Sequence, residues 1–439
     1  MNRRLGLTVG FGALLCARVA SAQTVGSATG GEAAIGYMGL PQKASSEAPN
    51  GIQISDGVTM HVGAGAETGY DTNVFYQDKS STNYLGSGIL RATGFAQIGN
   101  ANRTGQVPAG MAFTAGAGLQ YRRYLSDNVS LDGYRNAFMP TAHLSLGVSS
   151  GQFGFSFLDS FVRMEDTPYT PGQQSFVRDT NTASAEARWA PGGGRLSSTL
   201  RYSNILDIYE DDSLKKASSV GHQLLLDVSW KWLPKTAIFL QASQGYITYL
   251  YDNSGKVPSY PLRAFAGLRG LITPRIAALL ALGYANGFYS SGTSTSGFLG
   301  SSYLQAQAMI TPTLVSRVVV GYKHDFSNSV VSNFTYDDTI YLSYAHQIAG
   351  RVSLSLSGRY IHRNFQGNIV GVPPGDGRID SLFNVGGSLD FYPRNWMYVG
   401  AGYALFANTS NAALTDGMGN KQSLDYVKQQ VFARLGVTY

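Results

Sequence analysis

Six histidines are the first place to look for chemistry near neutral pH: His61, His143, His222, His324, His346 and His362. A hydrolase would need one of them beside a nucleophile and an orienting acid. A zinc or iron site would need two at helical or turn spacing. The closest two, His346 and His362, stand sixteen residues apart. Carboxylates cluster at Asp337-Asp338 and Glu210-Asp211-Asp212. Calcium takes such oxygens, but the same runs also make ordinary solvated loop faces. No phosphate loop, dinucleotide fingerprint or zinc spacing occurs. These patterns point away from an enzyme and imply no cofactor and no metal.

A second set of charged residues has a different regularity. Arg201, Arg263, Arg269, Arg317, Lys323, Arg359, Arg363 and Arg434, with Asp227, Asp325 and Asp390, fall on the polar side of alternating segments. Opposite charges on one such wall either set up a transverse field or neutralise one another, and both readings stand. The run "GQFGFSFLDSFVRMED", residues 151–166, puts Phe153, Phe155, Phe157 and Phe161 on the same face as Asp159 and Arg163. Arginine in lipid costs on the order of 2–4 kcal/mol at the midplane. The stripe therefore either faces a lumen or faces lipid with its charges near the rims.

What positions these residues is a period of two. Val220, His222, Leu224, Leu226, Val228, Trp230 and Trp232 alternate with Gly221, Gln223, Leu225, Asp227, Ser229 and Lys231. Val352, Leu354, Leu356 and Tyr360 alternate with Ser353, Ser355, Ser357 and Arg359. Such strands can meet lipid on one face and water on the other. Tight turns are expected at Pro191-Gly192-Gly193-Gly194, Pro234-Lys235, Pro274-Arg275, Pro312-Thr313, Ala349-Gly350 and Pro393-Arg394, because proline cannot donate to a ladder. Longer polar stretches separate them, near 209–218, 252–259, 290–297, 327–334, 364–380 and 408–423. The pattern predicts an all-β, transmembrane antiparallel barrel of about 18 strands (16–20), with short turns and both termini in the periplasm. Tyr284, Tyr322, Tyr360 and Tyr403 each follow a turn by ten residues and are expected in the outer aromatic girdle. The last strand alternates to the final residue, and Val437 with Tyr439 resembles the signal read by the barrel-assembly machinery.

Composition agrees. Charged residues make up 14%, against about 25% in ordinary soluble domains, while the 439 residues include 53 Gly and 27 Tyr. Arg3 and Arg4, the apolar run Leu5 to Leu15, and Ala20-Ser21-Ala22 read as a Sec signal peptide over 1–22. Cys16 lies within it, so the remainder carries no disulfide. Three of the 33 basic residues, Arg3, Arg4 and Arg18, lie there too. The remaining 30 face 27 acids, a net charge of +3 that does not call for nucleic acid. Residues 23–55 read as a flexible periplasmic segment and 56–439 as the barrel in the lipid of a bacterial outer membrane.

"ETGYDTNVFYQ", residues 67–77, closes the first expected strand. Through Tyr70, Asp71, Asn73, Val74 and Phe75 it resembles the start of the outer-membrane β-barrel porin families. Several members of that type belong to exopolysaccharide or capsule export pathways. The resemblance implies a polysaccharide cargo and a separate periplasmic polysaccharide export protein, around a monomer. A passive diffusion porin, with a loop folded inward as a constriction, is the first alternative. A surface adhesin or scaffold barrel is the second.

Overall fold

The computed structural model describes residues 51–100, 110–166, 176–212, 214–251, 256–290, 302–367, 377–415 and 421–439. The expected signal peptide, Cys16 and the segment up to residue 50 lie outside these, as do the centres of several long loops. The strands are β1 (Ile52–Ser55), β2 (Val58–Asp71), β3 (Ser87–Gly99), β4 (Met111–Tyr124), β5 (Asn136–Ser150), β6 (Phe153–Asp166) and β7 (Phe176–Trp189). They continue with β8 (Leu196–Tyr209), β9 (Ser219–Leu233), β10 (Thr236–Tyr249), β11 (Leu262–Thr273), β12 (Ile276–Asn286), β13 (Ser302–Thr313) and β14 (Ser316–Asn328). The last are β15 (Phe334–Ile348), β16 (Val352–Gln366), β17 (Ile379–Arg394), β18 (Met397–Ser410), β19 (Ala413–Thr415), β20 (Lys421–Ser423) and β21 (Tyr426–Thr438).

Strands β2 to β18 and β21 close into one antiparallel barrel of eighteen. Each pairs with the next, and β21 returns to β2 from Gly63↔Thr438 to Asp71↔Gln430. The terminal Tyr439 exchanges both backbone hydrogen bonds with Val62, at 2.8 and 3.1 Å, so the seam is laddered to its last residue. Closure leaves no long sheet edge unpaired, which a bilayer demands. β1, inside the stretch expected to be flexible, folds back on β2 through Ile52↔Met60. β19 and β20 form a separate hairpin in the loop after β18.

The alternation sorts the two faces. Leu224, Leu226, Trp230 and Trp232 on β9 are exposed on the outside, as are Leu280 and Leu282 on β12 and Val431, Leu435 and Val437 on β21. Burying such surface against acyl chains instead of water is worth about 25 cal/mol per Å². Two prolines sit differently from expectation. Pro312 and Pro393 do not form the turns but lie in the last residues of β13 and β17, where the ladders skip between Ile310 and Thr313 and between Phe391 and Arg394. The chain reverses two residues later, at Leu314-Val315 and Asn395-Trp396. An irregular register tolerates a residue without an N–H. Pro140 lies within β5, but the ladder from β5 to β6 begins only at Thr141↔Val162. Above that point Arg122 of β4 reaches Glu165 of β6 at 3.0 Å and bridges the parted strands.

Candidate functional site: the lumen and its long-loop mouth

Register places the inward charges in cross-strand pairs. Arg201 on β8 is opposite Glu186 on β7, and its guanidinium donates to that carboxylate at 2.5 and 2.9 Å. Arg269 reaches Asp227 at 3.4 Å. Arg363 holds Asp337 through two bonds of 2.9 Å. Arg434 donates to both oxygens of Asp390, at 2.6 and 2.8 Å. Asp325 takes Arg263 at 3.0 Å and Lys323 at 2.8 Å. All eleven sequence-selected charges lie on the face opposite the exposed apolar side chains. Nine are brought together in these pairs; Arg317 and Arg359 stay exposed, and among the described residues neither has an ion pair. Sequence pattern missed Glu186, Glu67, Arg91 and Arg178; Arg91 meets Glu67 and Arg178 meets Asp207, and these pairs complete the wall. Such pairing favours mutual neutralisation over a transverse field.

Inward aromatics gather on β10 to β14. Phe265 and Tyr303 stack with centroids 4.2 Å apart and planes 10° from parallel, and Phe239 meets Phe265 edge-on at 6.3 Å. Arg269 lies over Phe239 and Arg263 over Phe326, at 4.9 and 4.2 Å. These rings are buried beneath cations. They stiffen the wall and do not present an open stacking surface.

The mouth on the long-loop side is built from the stretch that carried the family resemblance. Asp71 and Lys428 form an ion pair at 2.9 Å in which both side chains are 0% exposed. Lys428 Nζ also sits 3.9 Å from the centre of the Tyr76 ring. Asp71 accepts from the Asn73 amide N–H and from Gln430 Nε2, each at 3.0 Å. Asn73 Nδ2 donates to the carbonyls of Gln77 and Val427, and its Oδ1 accepts from the Gln77 N–H. Val74 and Phe75 pack on Ile89, Tyr124 and Leu131. Tyr76 takes φ of 53°, a left-handed conformation that a bulky residue adopts only when its surroundings enforce it. The motif is thus a lock that ties the first long loop to the closing strand.

A second segment crosses the mouth. Val330 and Val331, between β14 and β15, pack against Tyr209 at the end of β8 and Phe365 at the end of β16. Those strands lie nearly opposite one another in the ring. Lys256, from the loop after β10, donates to the carbonyls of Ser329 and Ser332 at 3.0 and 2.6 Å. Burial pushes its pKa down to about 7. In the first loop, hydrogen bonds from Ser80 hold the Asp78 carboxyl below its ordinary range.

Of the other side chains singled out for chemistry, His61 and His143 share the lumen face, opposite Gln97 and Gly116, and the rest of those on strands lie on the outside. Phe153, Phe155 and Phe157 are exposed on the apolar face, which decides for lipid. Arg163 is near the long-loop end of β6, paired with Glu210 at 2.6 Å. Asp159 is lower, six residues above Phe153, where Asn181 Nδ2 donates to it at 2.9 Å. His324 and His362 flank Asp338, paired with it from β14 and β16; His324 Nδ1 lies 2.8 Å from its carboxylate. Among the described residues no three of His, Cys, Asp and Glu converge as metal ligands. Tyr284, Tyr322, Tyr360 and Tyr403 share the outer face, but at two levels. Tyr284 and Tyr360 stand eight residues above their strand starts at Ile276 and Val352, and Tyr322 and Tyr403 six above Ser316 and Met397. Equal spacing from a proline does not give equal height, because two of the prolines precede the real turns. Val437 and Tyr439 are both exposed on the outer face.

No family model matches this chain, and no curated protein does. Among solved structures it is similar to OccAB4 of Acinetobacter baumannii, at 11% identity and a TM-score of 0.44, over 87% of this chain and 98% of that one. It is similar to the siderophore receptor PirA of the same organism, at 8% identity and a TM-score of 0.42, over 87% and 80% of the two chains. The ferric enterobactin receptor PfeA of Pseudomonas aeruginosa, in its Q482A form, gives 9% identity and 0.42, over 87% and 81%. At such scores the barrel rests on its own strand pairing and not on these likenesses. Closed, eighteen-stranded and apolar outside, the chain is a β-barrel of the outer-membrane type.

Proposed function

We propose that this barrel conducts a hydroxyl-rich polymer across the outer membrane, a polysaccharide delivered by a separate periplasmic export protein. The observation that supports it is the lumen wall, lined by fixed pairs: Glu186–Arg201 and Asp227–Arg269, half-buried, and Asp390–Arg434, nearly buried. Paired charges offer donors and acceptors to hydroxyl groups without a strong net field, so a chain can exchange partners as it moves. Eighteen strands leave room for an aqueous channel. Energy would come from synthesis or partners on the inner side. Deleting the gene should abolish surface polysaccharide, measured by glycan staining and composition. Normal polysaccharide with slower uptake of small solutes would sink this reading.

That outcome would favour a diffusion porin. The second reading has its own support in Val330 and Val331, which span the mouth as a porin's constricting loop would. Conductance measured in planar bilayers before and after removing Ser329–Asn333 separates the two. A constriction should widen in proportion to the cut, while a closed mouth should go from silent to conducting.

A further inference from the structure

The two ends of the barrel differ in charge. On the rim of short turns stand Arg188, Arg195, Lys231, Lys235, Arg275, Arg317, Arg351 and Arg394, each in a turn or within two residues of a strand end. All eight are exposed. Among the described residues none of them takes part in an ion pair, and the one acid side chain at this level is Asp56. The next acids up the wall, Glu186, Asp227 and Asp390, are each already held by an arginine. The opposite rim is mixed, with Asp78 beside Lys79 and Asp211-Asp212 close to Lys215-Lys216.

Three of the eight, Arg188, Lys231 and Arg317, share the lumen face with Glu186, Asp227 and Lys323 of their own strands. Arg359, exposed and seven residues above Val352, continues the positive face inward. Adjacent strands lie about 4.8 Å apart. Neighbouring rim charges on β14 to β17 therefore fall within roughly one Debye length at physiological salt, about 8 Å, and their fields add. A mouth lined by one sign concentrates the opposite sign before it. Short turns face the periplasm in barrels of this type.

We propose that the short-turn mouth is an entry site for an anionic glycan, a chain bearing uronate or other acidic substituents. The inference rests on the conduit reading above and names the class of its cargo. The cations turned into the lumen favour a threading chain over a protein docked on the rim. They draw the chain in, and the neutralised wall beyond takes it over through its hydroxyls.

The test uses the full barrel in detergent and in lipid vesicles, the parent against Arg188→Gln/Lys231→Gln/Arg317→Gln. These side chains are exposed, so the barrel should fold as before, verified by its heat-shifted mobility on gels. Oligogalacturonate and a neutral malto-oligosaccharide of equal length are the probes. Oligogalacturonate should bind the variant about fivefold more weakly. Rising salt should weaken its binding to the parent, while the neutral glycan should not distinguish the two proteins. Unchanged oligogalacturonate binding, with both glycans still bound, overturns the anionic assignment and leaves the conduit standing. Binding of neither glycan to either protein overturns the conduit reading and this inference with it. Polyglutamate binding as tightly, through the same cations, gives the mouth to an acidic protein and overturns the proposal.

Discussion

Replacing Lys428 by Met tests the lock at the long-loop mouth. The side chain is fully buried, 2.9 Å from Asp71 and over the Tyr76 ring. Methionine keeps most of the volume and removes the charge, so Asp71 would be left ionised without its cation. Breaking a buried pair by deleting one partner costs about 3–5 kcal/mol. Asp71 would keep its hydrogen bonds from Asn73 and Gln430, which places the expected loss near the lower end, about 3 kcal/mol. Lys428→Met combined with Asp71→Asn removes both charges and should recover more than half of that. Urea unfolding of the barrel in vesicles, followed by tryptophan fluorescence, gives the free energies. Hydrogen exchange at Asn73 to Gln77 should rise in the single variant and fall back in the double. A single variant within about 0.5 kcal/mol of the parent, or a double no better than the single, would refute the reasoning.

The mouth should also respond to pH. Lys256 has its pKa lowered to about 7 where it holds Ser329 and Ser332, against about 10.4 in water, so protons bind more tightly to the released state. Closure should strengthen as pH rises from 7 to 10 and weaken as it falls back, read as a falling then recovering bilayer conductance, and Lys256→Met should flatten the profile. Tyr439→Ala removes the aromatic end of the closing strand while its backbone still pairs with Val62. It should lower the yield of heat-modifiable barrel in the membrane and leave the unfolding energy of assembled protein nearly unchanged. Gly400→Ala would drive a methyl into the Asp390 carboxylate and the Leu389 carbonyl, while nothing lies within 4 Å of a Cβ at Gly147. The first should cost about 1–3 kcal/mol in unfolding and Gly147→Ala well under 1.

The architecture was legible because a bilayer writes itself into the chain residue by residue. A strand with lipid on one side and water on the other must alternate, so faces could be read locally, as at Leu224 to Trp232. What stayed hidden depends on register between distant strands. The Tyr70-to-Phe75 stretch looked like a family mark because its cause is far away: Asp71 is 357 residues from Lys428, and only the closing ladder Asp71↔Gln430 brings them together. The Phe stripe was undecidable for a related reason. Asp159 shares its face, and sequence alone does not show that Asn181 on the next strand supplies a donor there. The prolines mark where a ladder can do without a donor, which is close to a turn but not at it. At Pro312 and Pro393 the chain runs two residues further before reversing, and that displacement carries Tyr322 and Tyr403 below Tyr284 along their strands. At about 3.3 Å per residue and a tilt near 40°, two residues amount to roughly 5 Å of depth, enough to move a tyrosine from the headgroups into the acyl region. Tyr322 is compensated by the Asp338 carboxylate its hydroxyl reaches, at 2.5 Å. A lower ring thus keeps its hydroxyl satisfied through a neighbouring strand.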